Sequence, residues 1–455
     1  MNLLNKNKKW IFGAILLLLL FKPFLNQLEN NPVSRKIDRQ FANIQSDLQS
    51  NSNVKNRLFE ESQVKSKISK IKDEPSALFN DPSIKEAWGL KKSDAARAWS
   101  ISKGSRNIVV AIIDTGIDIH HEDLKNNLWT NLGETGKDKL GRDKSTNGID
   151  DDKNGHIDDV YGWNFVSDNN DLKDNHGHGT HISGIVGAEA QNGKGISGIS
   201  PEVSIMTLKY YDPQVLKSDN LKNTIRAIHY AISMGAHIIN YSGGGTEKSE
   251  EEKAAVMAAE QKGILFVAAA GNEKSNSDEH HYYPADYKLS NIISVTAIDP
   301  NTEVLASSNY GTETVDIAAP GQNILSTLPS NNYGYMTGTS QATAFVTGAA
   351  VLAMAHKKNF SSSEIKKYIL ATGDTSSQLL AKTRTARQLN LFKVLSVLDQ
   401  GVAANGVLAV NPSKEQESRF LSNEGSKSPL GAFGGQFKEA LQKVMIKEKI
   451  GNKND

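Results

Sequence analysis

Asn107-Ile108-Val109-Val110-Ala111-Ile112-Ile113 is the stretch on which the fold turns. Past Asn107 it is apolar without a break and rich in β-branched residues, the composition of a strand covered on both faces rather than one alternating between core and water. Runs of the same kind recur at Val203–Leu208, His237–Tyr241, Ile264–Ala268 and Ile292–Val295. Helical patterns lie between them, near 179–189, 219–234 and 249–262, followed by a long apolar one at Ser340–Ala355 and another near 362–371 opened by Ser361-Ser362-Ser363-Glu364. Strand and helix in alternation predict an α/β fold, a mostly parallel sheet flanked by helices on both faces. In such sheets ligands bind at the carboxyl ends of the strands. Asp114 follows Ile113 directly, and so stands at that edge.

The rest of the chain narrows the function classes. With Lys+Arg 52 against Asp+Glu 51 there is no general electrostatic reason to bind nucleic acid, and with Cys 0 there are no disulfides, thiolate metal sites or cysteine nucleophiles. Any nucleophile is oxygen or nitrogen. The charge is unevenly spread: residues 1–72 hold 13 Lys/Arg and 5 Asp/Glu, residues 114–178 hold 7 and 15. Lys6, Lys8 and Lys9 precede an uncharged run from Trp10 to Phe21, the basic and apolar regions of an export signal; at 12 residues it is shorter than the roughly 20 of a membrane span. No small-x-small cleavage pattern follows, so residues 1–25 read equally as a signal peptide or an N-terminal membrane anchor. Residues 26–80 are polar and read as a linker or short pro-segment, 81–398 as the α/β body, and 399–455 as a Gly-, Ser- and Lys-rich tail with one amphipathic stripe at Phe437, Ala440, Leu441, Val444 and Met445. A monomer outside the cytoplasm is expected.

Four motifs carry chemistry. Asp114-Thr115-Gly116 offers a carboxylate at a strand end; aspartic proteases need two such tripeptides, and there is no second copy. Asn175-His176-Gly177-His178-Gly179-Thr180-His181 sets three imidazoles among glycines at a helix start, suited to general-base work or, less readily, to zinc. Ala268-Ala269-Ala270-Gly271-Asn272 ends a buried strand with an amide able to donate to a developing oxyanion or to close an Asx turn. Gly338-Thr339-Ser340 opens the long apolar helix, where a serine is a cap or a nucleophile.

Asp, His, Asn and Ser in this order, in these motifs, resemble the subtilisin-like serine proteases (subtilases) over roughly residues 81–398, including the segment Ala386-Arg387-Gln388-Leu389-Asn390 near the last helix. The resemblance implies a triad of Asp114, His178 and Ser340, with Asn272 as oxyanion donor and His176 and His181 in support. It implies polypeptide substrates bound by β-augmentation on Ser242, Gly243 and Gly244, facing Ala269, Ala270 and Gly271. Small residues on both walls lead to the expectation of a large apolar side chain at P1, the residue before the scissile bond. It also implies structural Ca2+ held by Asp123, Asn192 and Asp81. Asp150-x-Asp152-x-Asn154-Gly155, followed by Asp158 and Asp159, separately reproduces the opening of an EF-hand loop, with Tyr161 where the closing Glu belongs. Gln341 and Ala344-Phe345 depart from the family pattern around the nucleophile. One rival is a catalytically silent, calcium-stabilised envelope protein on the same scaffold, disfavoured because every polar member of the machinery is present. An α/β-hydrolase esterase is excluded: it needs Gly-x-Ser-x-Gly and the order Ser, acid, His.

Overall fold

The computed structural model describes residues 79–357 and 360–400. In chain order the elements that matter are α1 (Trp88–Lys92), α2 (Ala95–Trp99), β1 (Gly104–Asp114), β2 (Gly162–Asn164), α3 (His178–Gly187), β3 (Glu202–Lys209), α4 (Asn220–Ser233), β4 (Ile238–Tyr241), α5 (Glu250–Gln261), β5 (Leu265–Ala269), β6 (Ile292–Ile298) and β7 (Ile317–Pro320). There follow β8 (Ile324–Leu328), β9 (Asn332–Met336), α6 (Thr339–His356), α7 (Ser362–Thr372), β10 (Asp374–Thr375), β11 (Arg387–Gln388) and α8 (Leu391–Gln400).

Nine strands form one sheet in the order β10-β11-β7-β6-β5-β4-β1-β3-β2, every pairing parallel except β10 with β11; β8 and β9 make a separate antiparallel hairpin. The apolar runs read in the sequence are β1, β3, β4, β5 and β6. Their alternate side chains feed two cores, as the period of two requires. Val110 and Ile112 join Leu265, Val267, Ile293 and Val295 beneath α6, while Ala111 and Ile113 join Met206, Leu208, Ile239 and Phe266 beneath α4 and α5. Every residue of α6 from Thr339 to Met354 is buried, which is why its pattern is apolar all round rather than striped. Phe345, one of the departures from the family pattern, is part of that core: a Cβ on Gly89 of α1 would lie 2.5 Å from its ring. The Ala386–Asn390 segment supplies the short strand β11, between β10 and β7 and directly ahead of the last helix.

β1 lies between β3 and β4, so the chain winds one way through β3 and β2 and the other way through β4 to β7. That reversal leaves a crevice at the carboxyl ends of β1 and β4. Asp114 ends β1, and Ser242 follows β4. The N-terminal apolar run and the C-terminal stripe at 437–445 fall outside the described residues; among the described residues no helix is long and apolar enough to cross a membrane.

Candidate active site

The Asp and His motifs meet because their glycines let two backbones touch. A Cβ on Gly179 would lie 2.2 Å from the Gly116 carbonyl oxygen, closer than atoms pack, so the start of α3 can press against the turn after β1 only without a side chain there. Thr115 locks the contact: its hydroxyl accepts from Gly179 N (2.9 Å) and donates to Asp174 Oδ1 (2.8 Å). Asp174, buried, also accepts from the backbone N–H groups of His176, Gly177 and Thr180 and from the Thr180 hydroxyl. Burial pushes its pKa up, but these donors outweigh burial and hold it below the usual carboxylate value.

The result is a 2.7 Å hydrogen bond between His178 Nδ1 and Asp114 Oδ1, with Asp114 almost wholly buried and His178 partly open. Burial depresses the imidazole pKa; the Asp114 charge and hydrogen bond outweigh it, and the net direction is upward. With Nδ1 bonded to the carboxylate, Nε2 is left for chemistry. His181, three residues on in the same helix, is buried, its Nε2 between the carbonyls of Ile324 and Gly334, and burial brings its pKa down to about 4.

Ser340 lies in the first turn of α6, where backbone N–H groups have no intrahelical acceptor. Its hydroxyl donates to the Ser242 carbonyl at 3.0 Å rather than to His178. Asn272 is exposed, and its Oδ1 accepts from Thr339 N (3.0 Å) and the Thr339 hydroxyl (3.2 Å), which leaves its Nδ2 as the donor end of the amide. Asn309 fixes this loop from below, accepting from Glu273 N and Ser275 N and donating to the Ala270 carbonyl. Ser242, Gly243 and Gly244 leave β4 at the rim. Gly243 and Gly244 have no backbone hydrogen-bond partner among the described residues, while Gly245 pairs with Tyr283. Ala269, Ala270 and Gly271 leave β5 opposite them.

The expected calcium ligands divide. Asp81, Asp123 and Asn192 all reach the loop 189–197: Asp81 Oδ2 accepts from Gln191 N and the Ser197 hydroxyl, and Asp123 from Asn192 Nδ2 and Ile196 N. The other Asp81 oxygen is buried without a hydrogen-bond partner among the described residues. Asp152 and Asp159 gather with Glu134, their oxygens within 4.8 Å of one another, but Asp150 turns to the backbone of Asn154 and Gly155, and Asp158 to Gly148 N. Asn154 donates its amide to Asp152 and Asp159. Burial raises the pKa values of Glu134 and Asp159, and Glu134 Oε2 is buried unpartnered. Three clustered carboxylates with no ion pair among the described residues fit a hard divalent cation.

Sequence reasoning missed Asp174, Asn309 and Glu134. Asp174 carried a signal, an acidic residue just before the histidine-bearing helix; the others gain their roles only through distant contacts.

A carboxylate-bound imidazole, a hydroxyl at a helix N-terminus and an amide just past a strand's carboxyl end, all on one parallel sheet, are parts that serine hydrolases use. A family profile described as Peptidase S8, subtilase family, matches residues 105–415. The thermophilic serine proteinase of Bacillus sp. strain AK1 is 30% identical over 316 residues, 67% of each chain; thermitase of Thermoactinomyces vulgaris is 34% identical over 299 residues, 66% of this chain and 92% of its own. Subtilisin-like protease 1 of Plasmodium vivax is 34% identical over 291 residues, and there the match spans only 45% of the relative's length. Among solved structures, fervidolysin from Fervidobacterium pennivorans, described as a keratinolytic enzyme related to subtilisin, superposes with a TM-score of 0.57 at 26% identity over 70% of this chain and 46% of its own. The chain belongs to the subtilase family of serine endopeptidases.

Proposed function

We propose that the chain is an exported endopeptidase that hydrolyses polypeptides through an acyl-enzyme, with Asp114, His178 and Ser340 as its triad and Asn272 as oxyanion donor. The observation that carries this reading is the Asp114–His178 hydrogen bond, formed at the carboxyl end of β1, beside β4, whose following residue Ser242 accepts from the Ser340 hydroxyl. Ser340 Oγ turns from the Ser242 carbonyl toward His178 Nε2, passes it the proton and bonds to the scissile carbonyl carbon. Asp114 holds the Nδ1 proton and stabilises the imidazolium. The oxyanion takes hydrogen bonds from Asn272 Nδ2 and the Ser340 N–H, helped by the positive end of α6. Collapse breaks the C–N bond, and the leaving amine takes the proton from His178. Water, deprotonated by the same imidazole, then attacks the ester, releasing the acid and restoring the Ser340 hydroxyl. An extended substrate pairs with the free backbone of Gly243 and Gly244.

Calcium serves stability in this reading, held by Glu134, Asp152 and Asp159 and, at a second place, by Asp81, Asp123 and Asn192. Export or anchoring by residues 1–25 and a monomeric state complete the proposal. In the test, Ser340→Ala abolishes peptide hydrolysis while the circular dichroism spectrum and melting point stay put. Asn272→Ala lowers kcat by about 10²–10³ with little change in KM. Full activity in folded Ser340→Ala protein sinks the proposal.

A further inference from the structure

Space between two small-residue walls admits a large substrate side chain only if the protein leaves it empty, and this protein does not. A Cβ on Gly271 would lie 2.9 Å from Tyr282 Cγ, and one on Gly244 would lie 2.5 Å from Tyr282 Cε1. One ring therefore touches both walls, its base against the strip leaving β5 and its edge against the strip leaving β4. Glycine at both positions leaves room for the ring, and also for the Tyr283 carbonyl oxygen beside Gly244 and the Glu273 and Asn309 side chains beside Gly271.

The backbone that carries the ring is tied down at three points. Tyr282 N donates to the buried Asp286 Oδ2 at 2.8 Å. Its neighbour Tyr283 exchanges two backbone hydrogen bonds with Gly245, at 2.9 and 2.7 Å, and packs its ring 4.8 Å from that of Tyr287. Burial, with the charges of Glu273 and Glu252, drives the Tyr282 hydroxyl pKa well up, as expected for a phenol set in protein rather than water.

The walls also locate the substrate. Gly271 precedes Asn272, and Gly244 lies two residues past Ser242, whose carbonyl receives the Ser340 hydroxyl. A peptide carbonyl lying between Ser340 Oγ and Asn272 Nδ2 directs the side chain on its acyl side into the gap between these strips. We propose that Tyr282 is a specificity-determining residue: its ring occupies the P1 space, so the enzyme cleaves after Gly, Ala or Ser and rejects the large apolar residues that the small walls alone suggest. This rests on the serine-protease reading above.

The experiment separates the two ideas. A fluorophosphonate without a P1 side chain first reports on Ser340 by mass spectrometry. Peptides differing only at P1, Ala against Phe, then give the ratio of kcat/KM for the full chain and for Tyr282→Ala and Tyr282→Phe. The wild-type ratio favours Ala by at least about tenfold, Tyr282→Ala shifts it toward Phe by at least about tenfold, and Tyr282→Phe, which keeps the ring, holds the wild-type preference. If Ser340 is labelled but wild-type protein prefers Phe, or folded Tyr282→Ala leaves the ratio unmoved, Tyr282 does not set specificity and the protease reading stands. If Ser340 is not labelled, both fall. The wild-type profile decides the matter even where Tyr282→Ala fails to fold.

Discussion

His178 is under two opposed influences, burial that disfavours its charge and a bonded carboxylate that favours it, and the carboxylate wins. The proposed base is the neutral imidazole, so activity is lost as pH falls through a folded pKa lying above the ordinary value of about 6.5. The acid limb of kcat/KM between pH 5 and 9 should therefore fall above about pH 6.5. Asp114→Asn should move that limb downward and reduce turnover by about 10⁴, the tautomer no longer being held. A wild-type limb below pH 6 would contradict this account. At this scale the sequence was informative where chemistry is rare: a carboxylate, an imidazole, an amide and a hydroxyl each beside glycine at an element's end. It was silent where a role comes from folding alone. Tyr282 lies 10 residues from Asn272 in a polar loop, and nothing in Tyr282-Tyr283-Pro284 announces that its ring reaches both Gly244 and Gly271.

Among the elements, α3 and β1 depend on contact without side chains. Gly179→Ala puts a methyl 2.2 Å from the Gly116 carbonyl, and either the helix or the turn must retreat. The expected loss is about 1–3 kcal/mol, read from the urea midpoint, with turnover falling as the Asp114–His178 geometry loosens. Gly245→Ala, whose Cβ would meet nothing within 4 Å, should stay within about 0.5 kcal/mol of wild type. Equal midpoints for the two variants would refute the steric argument. Elements were legible in proportion to their burial. The continuous runs of β1 and β3 to β6 stand out, whereas β2 has only three residues and β9 is half exposed with no clean alternation. The acidic loop was half legible. Alternate oxygen side chains marked it, but their spacing could not foretell that Glu134, 16 residues before Asp150, would gather with Asp152 and Asp159.

Over the whole molecule, the two acidic clusters give a prediction about stability. A cation bound only by the folded chain adds about 2.7 kcal/mol at 100 times its Kd. The melting point should fall on chelation and recover with Ca2+ but not with Mg2+, which prefers a tight shell of retained water. Glu134→Gln should blunt that recovery while raising the midpoint in chelator, because removing one of three mutually repelling carboxylates helps the metal-free fold. A midpoint indifferent to chelator, in protein shown free of metal throughout, would remove calcium from the account.

The strand order has a consequence for how the protein is made. β1 finds one partner in β4, with Val109 N donating to His237 Nδ1 across 128 positions, and α6 beneath them both arrives a further hundred residues on. Domains assemble from the N-terminus as the ribosome delivers them. Asp114 and His178 leave the tunnel long before Ser340, so on the proposed chemistry a nascent or truncated chain ending short of Thr339 holds a base and an acid but nothing to attack with. The cell that synthesises this hydrolase is spared its action until nearly the entire catalytic body has been translated.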